Sequence, residues 1–234
     1  MDQILPLIDP RKTLFQIPCM TGQIEAGCAG GLISSAAAGL LGYIGFLVGN
    51  SNISSARSKI ANDFLRSQLE WIVWIDADIQ FTPNDLRYLM SIEPDGEFGG
   101  QKVEYTRTEV TATDGQVHGA ELAVTAEYSK KNDEQEPVRF GMGFVRLHRS
   151  VFERLANLTT GDGGEAIGKY MDEGRICSHF FPSSTSSDSR LMPEDTSFWN
   201  MVALAGIVPR IETRTNLIHW GRKPYPYRNS LISG

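Results

Sequence analysis

The sequence has little of what marks a disulfide-bonded or zinc-knuckle protein. Its 234 residues include three cysteines, Cys19, Cys28 and Cys177, an odd number with no Cys-x-x-Cys spacing. We therefore expect neither a disulfide framework nor a structural zinc site, and a reducing compartment is the default. Residues 1–11 lack a basic stretch followed by an apolar run, so the sequence predicts no signal peptide there.

An excess of positive charge is also missing. The chain has 22 Lys and Arg against 28 Asp and Glu, a formal net charge of −6. General affinity for polyanions comes from Lys and Arg that neutralise phosphates, so a general nucleic-acid binder is disfavoured. A local basic patch, and nucleic acid as a substrate, stay open.

One uncharged segment, residues 29–49, is nearly long enough to cross a bilayer. It is rich in Ser and Ala, and Gly39, Gly42, Gly45 and Gly49 interrupt it. We interpret it as a buried helix that leads into a buried strand, and we predict no membrane span.

Strand and helix patterns alternate through the first hundred residues. Strands are predicted at 14–18, 43–48 and 70–75, and helices lie within 23–40, within 52–68 and from Pro83, where Thr82 and Asp85 form a capping box. This order predicts an α/β fold with a mostly parallel central sheet and helices on both faces.

The second half of the chain is less regular, and we expect a smaller antiparallel portion there. Asp114 and Gly115 predict a hairpin turn, and Ser150 is expected to cap a short helix. A long loop covers residues 157–192, in which Tyr170, Asp172, His179 and Phe180 are candidates for an acceptor pocket. A last helix begins at Glu194, and short strands follow at 208–211 and 217–219.

Two aspartates, Asp76 and Asp78, directly follow an apolar strand. Ligands of open α/β sheets bind outside the carboxyl ends of strands. Two carboxylates one residue apart can meet one hard cation, and Mg²⁺ or Mn²⁺ combines a few carboxylates with phosphate oxygens. The pattern predicts a metal–diphosphate site; a turn that merely contains two aspartates is the alternative.

Five short segments share an order and spacing with a known family. They are residues 51–57, 74–79, 141–155, 193–198 and 217–221. Together with Pro18 they resemble the GT-A fold glycosyltransferases, in particular the compact stand-alone bacterial and phage-type members. The resemblance extends from about Leu14 to Tyr225.

The resemblance implies a Rossmann-like GT-A fold in one domain, residues 1–234. Residues 1–100 would bind the nucleotide-sugar and residues 101–234 the acceptor. It also implies metal-dependent transfer of a sugar from a nucleotide-sugar, with a UDP-sugar as expected donor and Mn²⁺ or Mg²⁺ as cofactor. The setting would be a bacterial or phage-infected host cytoplasm, and the oligomeric state stays open.

The resemblance also assigns roles at the donor site. Asp76 and Asp78 would bind the metal with His219, and Asp76 would also face the ribose. The nucleotide would lie against Pro18, Thr21, Asn50, Arg57 and Asp76, with Arg222 and Lys223 near the diphosphate. Simpler alternatives are a surface salt bridge for Arg57, a structural role for His219 and solvated tail charges.

The acidic pair at the start of the last helix supplies the candidate general base. Asp195, with Glu194 beside it, would take the proton of the acceptor hydroxyl, which implies inversion at the anomeric carbon. The helix macrodipole favours acids in a first turn in any case. Two departures from the family are Asn50, in a turn that often carries acids, and Ser58, where Asn often follows the arginine.

Other function classes fit less well. The motif of a haloacid-dehalogenase phosphatase has Thr or Val at the position of Gln80. A sugar nucleotidyltransferase needs a Gly-rich basic loop after the first strand, and this sequence has none there. A non-catalytic nucleotide- or carbohydrate-binding module on the same fold is the main alternative.

For a glycosyltransferase, the acceptor would be a hydroxymethylated pyrimidine of phage DNA or a saccharide. Late positive residues hint at a phosphate-binding face: Arg210, Arg214, Arg222, Lys223 and Arg228.

Overall fold

The computed structural model describes residues 6–50, 52–91, 96–98, 101–103, 110–113, 116–118, 122–123, 126–131, 134–159, 163–185, 191–207, 209–212 and 214–220. The strands in these ranges are β1 (Thr13–Cys19), β2 (Tyr43–Val48), β3 (Trp71–Ile75), β4 (Ile79–Gln80), β5 (Gly96–Phe98), β6 (Gln101–Val103), β7 (Val110–Thr113), β8 (Gln116–His118), β9 (Leu122–Ala123), β10 (Ala126–Lys131), β11 (Glu134–Phe140), β12 (Phe144–His148), β13 (Lys169–Asp172), β14 (Arg175–Ser178), β15 (Ser184–Thr185), β16 (Leu191–Met192), β17 (Arg210–Glu212) and β18 (Ile218–His219). The α-helices are α1 (Ala26–Ala37), α2 (Ile53–Arg66), α3 (Pro83–Met90), α4 (Arg149–Ala156) and α5 (Glu194–Leu204).

A six-stranded sheet forms the centre of the fold, in the order β17-β7-β12-β3-β1-β2. Strand β12 is antiparallel to both of its neighbours, and the other three pairs are parallel. Smaller sheets with antiparallel pairs accompany it, including β4-β18-β8-β9. The predicted α/β class with a mostly parallel central sheet is confirmed.

Strand β3 is buried on both faces of this sheet. Trp71, Val73 and Ile75 pack into an apolar cluster with side chains of α1 and α3, whereas Ile72 and Trp74 pack with α2, α4 and α5. Successive strand residues point to opposite faces, so an uninterrupted apolar run is what two-sided burial requires. Each fully buried large apolar side chain contributes about 1.5–3 kcal/mol.

The uncharged segment 29–49 divides as predicted into helix α1 and strand β2, but α1 is buried on one side only, with Ile33 exposed, and β2 is not buried. It lies at the edge of the central sheet, where Tyr43, Phe46 and Val48 are exposed. The prediction of a buried strand is wrong because an apolar run does not distinguish an edge strand from an inner one. No helix among the described residues is long and apolar enough to span a membrane.

Three expectations for the second half also need correction. The strands beside the predicted hairpin turn belong to different sheets, since β7 pairs with β12 and β17 while β8 pairs with β9 and β18. Helix α4 is capped by His148, whose side chain accepts a hydrogen bond from the Ser150 backbone, not by Ser150 itself. The predicted long loop contains the antiparallel pair β13–β14.

Helix α1 packs closely on the chain that follows β4, and its glycines permit this. A Cβ at Gly31 would lie 2.7 Å from the backbone oxygen of Phe81, whereas a Cβ at Gly30 would meet nothing within 4 Å.

We therefore expect opposite effects from two neighbouring substitutions. Gly31→Ala should lower the free energy of unfolding by about 1–3 kcal/mol through overpacking. Gly30→Ala should raise it by about 0.5–1 kcal/mol, since alanine favours a helix over glycine. Urea denaturation of both variants measures this, and equal effects would contradict the packing.

Candidate functional site

Asp76 and Asp78 lie in the turn that joins β3 to β4. The Asp76 backbone N–H donates to the Gly143 carbonyl over 2.8 Å, and the Asp76 carbonyl accepts from the N–H of Ile79 over 3.0 Å. Both carboxylates therefore leave the sheet at the carboxyl end of β3, as the sequence predicts.

Pairing of β18 with β4 brings a distant histidine to this turn. His219 lies opposite Ile79 in the register, and its Nε2 atom is 3.1 Å from Oδ2 of Asp78. The backbone N–H of Trp220 donates to the Asp78 carbonyl over 2.9 Å. The Asp78–His219 proximity that the resemblance implied is thus present.

A cavity of about 560 Å³ opens at the carboxyl ends of β1, β2 and β3. Six of the predicted donor-site and metal residues are in its wall. Its lining is Pro18, Cys19, Met20, Thr21, Gln23, Glu25, Leu47, Asn50, Ile53, Ala56, Arg57, Asp76, Ala77, Asp78 and Trp220.

The turns after β1 and β2 form one side of this cavity. The Gly49 N–H donates to the Met20 carbonyl over 3.3 Å, and Gly49 has a φ of 80°, a conformation that favours glycine. Oδ1 of Asn50 accepts from the Asn52 N–H over 3.1 Å, which directs the Asn50 carboxamide. Asn52 in turn caps α2.

The side chain of Arg57 is 6% exposed and is held by two carboxylates. Its Nη1 atom donates to Oε1 of Glu194 over 2.7 Å, and Nη2 is 3.1 Å from both carboxylate oxygens of Asp76. The salt-bridge alternative for Arg57 is therefore what the structure contains, in a buried form.

The three predicted metal ligands are not gathered into one cluster. Asp78 pairs with His219, whereas the Asp76 carboxylate is bonded to Arg57. Within the described residues, no group of three His, Cys, Asp or Glu side chains is arranged to hold a metal ion.

The described wall of the cavity carries more negative than positive charge. Glu25 joins Asp76 and Asp78 there, against Arg57 alone. Sequence reasoning missed Glu25, because a tertiary contact, the hydrogen bond of its N–H to the Ala77 carbonyl over 2.9 Å, brings it to the site. An anionic ligand would need a cation in order to bind beside these acids.

Glu194 and Asp195 begin helix α5 as predicted. Oδ1 of Asp195 accepts the N–H of Thr196 over 2.6 Å. Neither acid is in the cavity wall that the described residues form. Glu194 is connected to the site through Arg57.

A polar stripe on α2, formed by Ser54, Ser58 and Asn62, holds the chain from Ser178 to Phe181. Ser58 accepts from the Phe181 N–H over 3.2 Å, and Asn62 bonds both backbone groups of Ser178, at 3.0 and 2.8 Å. Sequence reasoning considered only the apolar face of α2 and missed this stripe. Its signal is the recurrence of polar residues every four positions.

The four acceptor-pocket candidates differ in burial, and one of them, Phe180, is excluded. Phe180 is fully buried in the apolar core, so it does not contact an acceptor. His179 is 3.1 Å from Ser54 Oγ and contacts the Tyr170 ring edge-on, and Asp172 pairs with Lys59 over 2.7 Å.

Two of the five basic residues near the end of the sequence, Arg210 and Arg214, are already paired with a protein carboxylate. Arg210 and Arg214 pair with buried Glu212 at 2.5 and 2.6 Å. Burial would raise the pKa of Glu212, but hydrogen bonds from Arg214 and the charge of Arg210 lower it overall. Arg222, Lys223 and Arg228 lie outside the described residues.

Comparison with known proteins bears on the fold. No family model matches the chain, and no curated protein does. Among solved structures, GalNAc-T7 with UDP, GalNAc and Mn²⁺ matches at a TM-score of 0.51 and 11% identity, over 95% of this chain and 45% of that chain. This chain thus spans less than half the length of that protein.

Two further structures are similar at lower scores. A197 from STIV matches at a TM-score of 0.49 and 15% identity, over 90% of this chain and 86% of that one. A glycosyltransferase involved in glycosylation of the major capsid of PBCV-1 matches at 0.34 and 9%, over 60% and 62%. The likeness to GalNAc-T7 shows the fold alone, which is a GT-A-like glycosyltransferase fold.

The pKa values of two histidines, His219 and His179, should be shifted in opposite directions. A hydrogen bond that the His219 imidazole donates to the Asp78 carboxylate raises the pKa of His219 above 6.5, and burial lowers the pKa of His179 below that value. The stabilisation from protonated His219 is therefore present below the unfolded pKa, and it is lost as pH rises through the folded pKa.

Titration of the imidazole resonances by NMR tests this. Asp78→Asn should lower the pKa of His219 and leave that of His179 unchanged. If Asp78→Asn changed the pKa of both histidines, or of neither, the Asp78–His219 contact would be contradicted.

Proposed function

We propose that this protein is a metal-dependent glycosyltransferase that moves a sugar from a nucleoside diphosphate sugar to a hydroxyl acceptor. The observation that carries the proposal is the cavity at the carboxyl ends of β1, β2 and β3, whose wall includes Asp78. The Asp78 carboxylate lies 3.1 Å from His219, which is next to the described wall and not part of it. On a GT-A-like fold, this cavity is where a nucleotide-sugar is expected. A UDP-sugar is the donor to test first, and Mn²⁺ is the metal ion to test first, since GalNAc-T7 was solved with UDP and Mn²⁺.

The side-chain atoms of Asp78 and His219 are of types that can bind a divalent metal ion. The carboxylate of Asp78 and the imidazole of His219 supply one oxygen and one nitrogen, and Mn²⁺ accepts both types. These two residues would hold the ion, with Asp76 facing the same cavity and, in this proposal, the ribose. When bound, the ion would neutralise charge on the leaving diphosphate.

The remaining donor contacts come from the turns around the cavity. Pro18, Thr21 and Asn50 would hold the nucleoside, because they are in the cavity wall at the ends of β1 and β2. Arg222 and Lys223 would pair with the diphosphate.

Asp195 is the proposed general base. One of its oxygens is fixed by the Thr196 N–H, which leaves the other to accept a proton. The acceptor oxygen would attack the anomeric carbon, its proton would pass to Asp195, and the nucleoside diphosphate would leave with the electrons of the broken bond. A single displacement of this kind inverts the anomeric centre.

Two acceptor classes are consistent with this reaction, a saccharide and a hydroxymethylated pyrimidine of phage DNA. The pairing of Arg210 and Arg214 with Glu212 favours the saccharide, because it occupies two of the charges that DNA would need. The proposed setting is a bacterial or phage-infected host cytoplasm.

Trp220 offers a direct test of the donor site. Of the four tryptophans, Trp71, Trp74 and Trp199 are at most 7% exposed, whereas Trp220 lines the cavity and is 42% exposed. UDP with Mn²⁺ should therefore change the fluorescence of the wild type and of Asp63→Ala, a surface control, but not that of Trp220→Phe.

Asp78→Ala should weaken metal-dependent binding of UDP by at least about 100-fold, since it removes a proposed ligand. Calorimetric titration with UDP, GDP, CDP and TDP, with and without Mn²⁺, measures this loss of affinity. It also shows which nucleobase the wild-type protein prefers. If the wild type bound none of them, the transferase proposal would be wrong.

Removal of the proposed base should separate binding from chemistry. Asp195→Asn should slow Mn²⁺-dependent hydrolysis of the donor about 10²- to 10⁴-fold, because water also needs a base, with UDP affinity unchanged. Release of UDP from a panel of UDP-sugars is the assay. An unchanged rate would exclude Asp195 as base, and binding without any turnover by the wild type would indicate a non-catalytic module.

A further inference from the structure

Three separate elements of the fold meet at one guanidinium group. Arg57 on α2 bonds Asp76 at the end of β3 and Glu194 at the start of α5. The two contacts span 19 and 137 residues of sequence. No local propensity brings these groups together, so the contact depends on the completed fold.

The geometry of Arg57 differs from that of a ligand-binding arginine. Both terminal nitrogens are occupied by protein carboxylates, at 2.7 and 3.1 Å, and the side chain is 6% exposed. Its Nε atom is buried and has no hydrogen-bond partner within the part of the chain that the structure describes. A donor diphosphate would therefore compete with Asp76 and Glu194 for this guanidinium.

We infer that Arg57 is a positioning residue that fixes Asp76 at the cavity and fixes the start of α5 through Glu194, and that it does not bind the donor. The inference rests on the proposed function of the cavity. In this arrangement Glu194 is the counter-charge of Arg57, and Asp195 is the acid of the pair that stays available for proton transfer.

Charge balance makes the inference testable. One guanidinium between two carboxylates leaves a net charge of −1. Loss of the arginine alone leaves two partly buried carboxylates without a cation, and breaking a buried pair from one side is strongly destabilising. Neutralising Glu194 as well restores the net charge of −1, so the second substitution should rescue the first.

A double-mutant cycle of Arg57→Gln and Glu194→Gln measures this coupling. Arg57→Gln should lower Tm by about 10 °C, and the double variant should recover at least half of that loss. Lys12 and Glu70 form an exposed pair at 2.7 Å, and the cycle of Lys12→Gln and Glu70→Gln is the matched control, with coupling near zero. Additive Tm shifts at Arg57 and Glu194 would overturn the inference.

Measurements of nucleotide binding and turnover distinguish a positioning role of Arg57 from a purely structural role. Arg57→Gln should lower kcat for donor hydrolysis at least tenfold, and it should raise the Kd of UDP with Mn²⁺ no more than Asp76→Asn does, because it acts on the donor only through Asp76. Arg57→Lys and the double variant should regain part of that kcat. A loss of UDP affinity larger than that of Asp76→Asn would show that Arg57 binds the donor, and would overturn the inference.

Failure of the proposed function has a different signature. If the wild type bound no nucleotide, the transferase proposal would fail. The Tm cycle would still decide whether Arg57 holds Asp76 and Glu194 in place.

Discussion

Burial of β3 on both faces is the constraint on which the rest of the molecule depends. Its five residues alternate between two apolar clusters, so helices must cover both sides of the sheet. A carboxylate inside this strand would be desolvated without a partner, and the first one therefore appears at its end, as Asp76. The position of the candidate site follows from the position of the core.

Helix α2 contacts the rest of the chain with three of its faces. Its apolar side chains, such as Ile60 and Phe64, enter the core, and its polar stripe holds residues 178–181. Arg57 lies between these faces and reaches Asp76 and Glu194. A helix fixed on several sides can hold charged groups in place with little freedom to relax, which suits an electrostatic site.

The first half of the fold could be predicted from sequence because its signals are local. The capping box of Thr82 and Asp85 and the apolar run of β3 are each set by neighbouring residues, and the structure contains them as predicted. The neighbours of β7 and β8 are decided by distant strands, which no local turn signal reveals. The contact of Glu25 with Ala77, and that of Arg57 with Glu194, are of the same long-range kind.

The function rests on this chain's own residues, because a likeness at 11% identity shows only the fold. Three carboxylates face the cavity, and the one described cation in its wall is already bonded to Asp76. A diphosphate placed there alone would meet repulsion from Glu25 and Asp78, whereas a divalent ion held by Asp78 and His219 would turn that repulsion into attraction. The acidity of the cavity thus favours a nucleotide that arrives with a metal ion over a phosphate ligand that binds without one.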